Sequence, residues 1–151
     1  QSLDDVKPGS KIAIPSNVTN FARGLRIIES LGWIQLDPTA DPIIVGMQDI
    51  IANPAGVEIL AIDAPQVVRS RDDVDFAIIN GNYAQDANIP DSDILRTEPG
   101  KLFVNWIVVA DSNKDSDWAK ALVEIVNTQA YKDYVKQTFP AFYNLPPAWD
   151  N

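Results

Sequence analysis

The sequence predicts an α/β fold, a mainly parallel sheet flanked by helices, with a helical segment towards its C-terminal end. Three observations carry this. Short apolar runs alternate with amphipathic stretches from Lys11 to Asn88, the order that parallel strands joined by crossover helices require. The runs stop at Pro, Gly, Asn or Asp, the residues that end strands and open helices. From Ser116 onward the apolar spacing is helical, through Trp118, Leu122, Ile125 and Val126 and then Tyr131, Tyr134 and Val135.

Taken in order, the polar start and the Lys7-Pro8-Gly9-Ser10 turn lead into a short strand, Ile12-Ala13-Ile14. Pro15 closes it because it has no N–H to donate to a ladder. Ser16, Asn17, Thr19 and Asn20 form a cluster of turn and cap formers. With Asn20 as N-cap, Phe21, Leu25, Ile28 and Leu31 fall on one helix face and Gly32 supplies the left-handed stop. Trp33–Leu36 is a short strand ended by Asp37-Pro38, and Met47–Ala52 has the spacing of a short helix stopped by Asn53-Pro54. Val57–Ile62 is a strand, and Asp63-Ala64-Pro65 opens a helix running to about Asp72. The segment from Asp73 then becomes a hydrophobic strand ending in Asn80-Gly81-Asn82, which opens a helix over Tyr83–Asn88. A polar connection follows, and Leu102–Val109 is strongly strand-like with Asn105 at its middle. The Pro-rich aromatic tail, Phe139–Trp149, is expected to pack without regular structure.

Composition narrows the chemistry. The chain has 151 residues and 46% hydrophobic content, enough for a globular core. Its net charge of −9 and lack of a Lys/Arg cluster argue against nucleic acid or an anionic membrane as partner. There is neither Cys nor His, which removes thiol catalysis, most zinc sites and the usual general base. The run Asp111–Asp117 lacks the Gly and distal Glu of a calcium loop and reads as a cap for the next helix. No cofactor and no metal are expected. Asp72, Asp73 and Asp75 could be imagined as acid/base groups, but clustered acids ahead of a strand are ordinarily a solvated face.

The candidate binding residues are polar groups at strand-to-helix junctions, where ligands sit in open α/β sheets. With Asn20 as cap, Arg23 takes the third helical position, where a cation is disfavoured unless it serves an anion. It reads as a clamp for a carboxylate or phosphate, or else as a solvated or Asp-paired Arg. Asn80 stands in the same kind of position as Asn17 and Asn20. Turn formation and capping explain each of these singly. Asn105, if buried in a strand, needs a hydrogen-bond partner from backbone or ligand.

The series IAIPSNVTNFARGL, QDIIANP, DAPQVVRSRDDVDFAIINGNYA and FVNWIVV, from Leu3 to about Val135, resembles the NlpA/MetQ family of methionine-binding lipoproteins of ABC importers. The resemblance implies a type II periplasmic-binding fold: two hinged lobes that close on a free amino acid, usually methionine, and deliver it to a membrane permease. It also implies a lipid tether outside the cytoplasmic membrane, through an N-terminal Cys in the full-length protein, and no enzymatic activity. Carried over by residue, Arg23 matches the arginine that grips the ligand carboxylate. Asn80 and Asn105 match asparagines that bind the amino and carboxylate groups, and Asn20 matches a supporting cap. Asn17 departs from an acid common in the family's "PNDPTN" element, and Gly24 replaces a helix-favouring Ala at about 1 kcal/mol. The aromatic tail is expected to lie beyond the family's usual end.

The family also carries a leading segment that forms most of a first lobe. On that basis residues 1–103 are expected to be the second lobe, and 104–151 a return strand and helices that complete the first. The missing first-lobe segment, or a second copy of the chain, becomes an expected partner beside the small-molecule ligand and the ABC permease. The alternative function is a ligand-sensing effector domain of a transcription regulator, since the same fold serves that class.

Overall fold

The computed structural model describes residues 2–99, 103 and 106–138, in two compact units divided between Pro99 and Gly100. The first unit is built on β1 (Lys11–Pro15), the middle strand of a parallel sheet. Strand β4 (Glu58–Ile62) pairs along its whole length, Lys11 opposite Glu58 through Pro15 opposite Ile62, and β5 (Phe76–Ala77) pairs on its other side. Pro15 ends the run as its chemistry requires, and the ladder closes with the Ser16 N–H donating to the Ile62 carbonyl at 2.8 Å.

Helix α1 spans Val18–Ser30 and packs on β1. Leu25 and Ile28 are fully buried with Ile12 and Ile14 in one core that includes Trp33, Ile34, Leu36, Val45 and Val57. Successive strand residues face opposite sides. Ala13, between the two isoleucines, is equally buried, and helix α2 (Ala64–Arg69) contributes the fully buried Val67 and also packs on β1. Helices therefore cover both faces of the sheet. The ring of Trp33 lies 4.9 Å from that of Phe76, tilted by 53°, an aromatic pairing within the same core.

Two glycines have specific roles in placing α1. A Cβ at Gly24 would lie 3.3 Å from Cβ of Ile14, so the absent side chain lets the helix approach the strand closely. This accounts for the low-propensity residue in mid-helix. Gly32 adopts φ +74° and closes a Schellman motif. Its N–H donates to Glu29 and the Trp33 N–H to Ile28, pairing carbonyls that the helix end would leave open.

Several elements differ from the sequence expectation. Helix α1 begins three residues earlier, with Asn17 rather than Asn20 at the N-cap, and the Phe21 N–H already donates to the Asn17 carbonyl at 2.8 Å. No residue from Val18 to Asn20 resists helical φ, so the helix starts as soon as the proline-closed strand permits. Met47–Ala52 is not a helix. Met47–Asp49 forms a 3₁₀ turn, and Ile50–Ala52 is strand β3, antiparallel to β2 (Gln35–Leu36). The β-branched Ile50 and Ile51 favour a strand once a neighbour exists to pair with. Helix α2 stops at Arg69, and Arg71–Asp73 is a separate 3₁₀ turn. The strand expected from Asp73 to Asn80 reduces to β5, after which α3 runs over Gly81–Asp86.

The second unit contains α4 (Asp117–Asn127) and α5 (Gln129–Thr138). The run expected to cap the first of them does so through Ser116, whose Oγ accepts from the Ala119 N–H at 3.4 Å, and Thr128 Oγ1 accepts from the Tyr131 N–H at 3.2 Å at the start of α5. The strand expected over Leu102–Val109 is absent among the described residues Trp106–Val109. Trp106 and Val108 are 79% and 86% exposed there. An apolar run becomes a strand only against an edge that can take its backbone hydrogen bonds. The tail Phe139–Trp149 lies outside the described residues.

Replacing Leu25 with Ala is expected to destabilise the first unit by roughly 2–5 kcal/mol in urea unfolding, through the cavity left against Ile12 and Ile14. Gly24→Val is expected to cost about 1–3 kcal/mol, because the added methyl groups force α1 away from Ile14. At the β2 exit, the Thr39 hydroxyl and N–H both donate to Asp37 Oδ1, at 2.7 and 2.8 Å, and hold that carboxyl below its ordinary range. A depressed carboxyl stabilises the fold above its unfolded-state value and loses that contribution as pH falls through the folded value. Thr39→Val is expected to raise the Asp37 midpoint part of the way back, as read by carbon-detected NMR titration.

Candidate functional site

The carboxyl ends of β1 and β5 meet the start of α1 and the N-cap of α3, and the polar residues of interest gather along these junctions. Arg23 is the sixth residue of α1, not the third. Its distance from the helix's unpaired first-turn amides removes the dipole part of the anion-site expectation, and the guanidinium works through side-chain partners instead. Its Nη1 donates to Asn20 Oδ1 at 3.0 Å, an i,i+3 contact on one helix face. Its Nε donates to both oxygens of Glu98, at 3.0 and 3.1 Å, and its Nη2 to Oε2 at 2.7 Å. The pair is partly buried, with side chains 29% and 14% exposed. Arg23 thus holds a carboxylate in the two-pronged geometry a guanidinium favours.

The asparagines are not spent on capping. Asn17 and Asn80 occupy N-cap positions, yet neither side chain makes a cap hydrogen bond, and Asn20 lies inside the helix. Asn80 Oδ1 is buried with no hydrogen-bond partner among the described residues. A buried acceptor without a donor costs stability, and this oxygen is free to accept an N–H. The structure brings Asn20 and Arg23 together and sets Asn80 three residues beyond β5, at the N-cap of α3. Asn105 lies outside the described residues. Glu98 was missed by the sequence reading. It sits in an irregular polar segment 75 residues from Arg23, and no local pattern signals that contact. Asp72 and Asp73 are exposed, in keeping with a solvated face, whereas Asp75 is half-buried and its Oδ2 accepts from the Lys11 N–H at 2.8 Å.

A second feature lies around the start of α1. An open groove of about 330 Å³ is lined by Val18, Phe21, Val45 and Met47, with Ser16 and Ala61 at the ends of β1 and β4. Val18 precedes Asn20, and Phe21 precedes Arg23, by two helix positions, which places the groove on another face of α1. Among the described residues no cluster of acids could hold a metal ion, and no helix is long and apolar enough to cross a membrane.

A parallel sheet covered on both faces, with polar residues where its strands lead into helices, is the α/β arrangement in which ligands sit beyond the strand ends, and solved structures place this fold in the periplasmic-binding-protein class. A periplasmic substrate-binding protein of an ABC transporter from Coxiella burnetii superposes with TM-score 0.80 at 34% identity, over 91% of this chain and 58% of that one. A nutrient-binding protein from Burkholderia cenocepacia, solved bound to methionine, gives TM-score 0.80 at 31% identity, over 92% and 59%.

The family model of the NlpA lipoproteins matches residues 1–149, and the chain belongs to that family. The match includes the whole of the aromatic tail Phe139–Trp149, which therefore does not lie beyond the family's end. Among curated relatives, the D-methionine-binding lipoprotein MetQ of Yersinia pestis is 33% identical over 143 residues, 92% of this chain and 52% of the relative. The chain spans about half the length of the curated relatives it matches.

Proposed function

We propose that this chain is part of the substrate-binding component of an ABC importer, and that it takes methionine or a related amino acid by its carboxylate and amino groups. Arg23 receives the carboxylate, with Asn20 steadying the guanidinium. Asn80 offers its unpaired oxygen to the ammonium, and Asn105 contributes a further polar contact to the same groups. The observation that carries this reading is the Arg23 fork closed on a carboxylate, 2.7–3.1 Å from its nitrogens. The relatives support the ligand class, since one is described as binding D-methionine and another was solved with methionine. The Coxiella burnetii neighbour is described as part of an ABC transporter, the relatives lend no support to a regulator, and the reading assigns no catalytic step.

In this scheme residues 1–103 act as the second lobe and 104–151 return to complete the first. The exposed apolar residues of the second unit, Trp118, Val123 and Ile125 among them, support a role for further polypeptide there: first-lobe sequence of the kind the longer relatives carry, or a second copy of the chain. Ligand binding favours the closed state of two hinged lobes in a pre-existing equilibrium, and the closed form meets a permease. The full-length protein works outside the cytoplasmic membrane, held by a lipid anchor.

Calorimetry of the full-length protein with L- and D-methionine tests the reading. Arg23→Ala is expected to weaken binding by roughly 10- to 100-fold, the loss of a charge-assisted pair, and Asn80→Ala by about tenfold. Retention of wild-type affinity by Arg23→Ala would sink the carboxylate role.

A further inference from the structure

We propose that Glu98 is an internal latch on Arg23, a carboxylate of the chain itself that the ligand's carboxylate must displace, and that it thereby sets the affinity of the site. The inference rests on the receptor reading above. A guanidinium binds a carboxylate best along an edge where two N–H bonds run parallel to its two oxygens. On Arg23 the edge formed by Nε and Nη2 is filled by Glu98, with contacts of 3.0, 3.1 and 2.7 Å. Asn20 takes an N–H of Nη1. A second carboxylate approaching the same edge meets like charge, so the two compete for it.

The location of Glu98 makes exchange feasible. It lies in Ile94–Pro99, a segment without helix or strand, directly before the boundary that ends the first unit at Pro99. Its carboxylate can swing into water without breaking a ladder or a helix. The side chains keep 29% and 14% exposure, so the ion pair remains partly screened and a multidentate ligand can outcompete it. Exchange conserves charge: the Arg23–Glu98 pair opens, an Arg23–ligand pair forms, and Glu98 becomes hydrated. A free amino acid gains a second contact through its ammonium at Asn80, which a lone carboxylate does not. Occupancy by Glu98 lowers apparent affinity in proportion to the latched population.

The test compares the full-length wild-type protein with Glu98→Gln and Glu98→Ala by calorimetry, after circular dichroism establishes that each variant is folded. The probes are L-methionine, D-methionine and 3-(methylthio)propylamine, which lacks the carboxylate. The latch requires both variants to bind methionine roughly three- to tenfold more tightly, with no gain for the amine. Unchanged or weaker methionine binding in both variants, with the wild type binding normally, overturns the latch and leaves the receptor reading standing. Equal gains for methionine and the amine also overturn it. Absence of methionine binding in wild type and variants alike overturns the receptor reading, and the latch with it.

Discussion

Burial of β1 on both faces is the constraint on which the first unit depends. Ile12 and Ile14 point into the core shared with α1, and Ala13 points to the face on which α2 buries Val67. A strand in that position must have all its backbone groups paired by neighbours, because water cannot reach them. Pairing with β4 and β5 meets this requirement and sets the direction of both strands. Parallel order in turn brings the strand ends, with Ser16 and Asn80, to one edge of the sheet. The ends of these strands lie side by side because β1 takes both its partners in parallel.

Electrostatics at that edge follow from placement on a rigid element. Arg23 stands on a 13-residue helix whose opposite side is locked by Leu25, Ile28 and the close approach of Gly24 to Ile14. Its guanidinium is consequently held, while its acidic partner comes from irregular chain. In water an ion pair of this exposure is worth on the order of 1 kcal/mol or less, so it orders the site without contributing much to global stability. An arginine held by a helix and a carboxylate held by a loop form an asymmetric pair, in which the second member is the one able to leave.

The two units differ in how well they enclose their apolar residues. In the first, the helices and the β2–β3 pair surround a continuous core. In the second, Ala119 is buried, whereas Trp106, Val108, Val123 and Ile125 are largely exposed. Amphipathic helices form there because their caps and periodicity are local properties. Burial of the apolar face is a separate matter and depends on what lies opposite.

Local chemistry was enough to read much of the chain. Pro15 ended a strand, Gly32 ended α1, the run ending at Asp117 supplied the cap of α4, and the apolar spacing of α1 named Leu25 and Ile28 as core. These features depend on φ preference and side-chain reach over a few residues, which sequence spells out directly. What depended on distant neighbours was misread or invisible. Ile50–Ala52 is a strand because Gln35–Leu36 lies beside it, and Trp106–Val109 is not one despite its composition. Arg23, Asn20 and Asn80 were legible as candidates from residue type and position. The pairing of Arg23 with Glu98, 75 residues away, and the burial of the Asn80 oxygen came from the fold alone, since contacts of that range are set by how elements pack and leave no mark in local sequence.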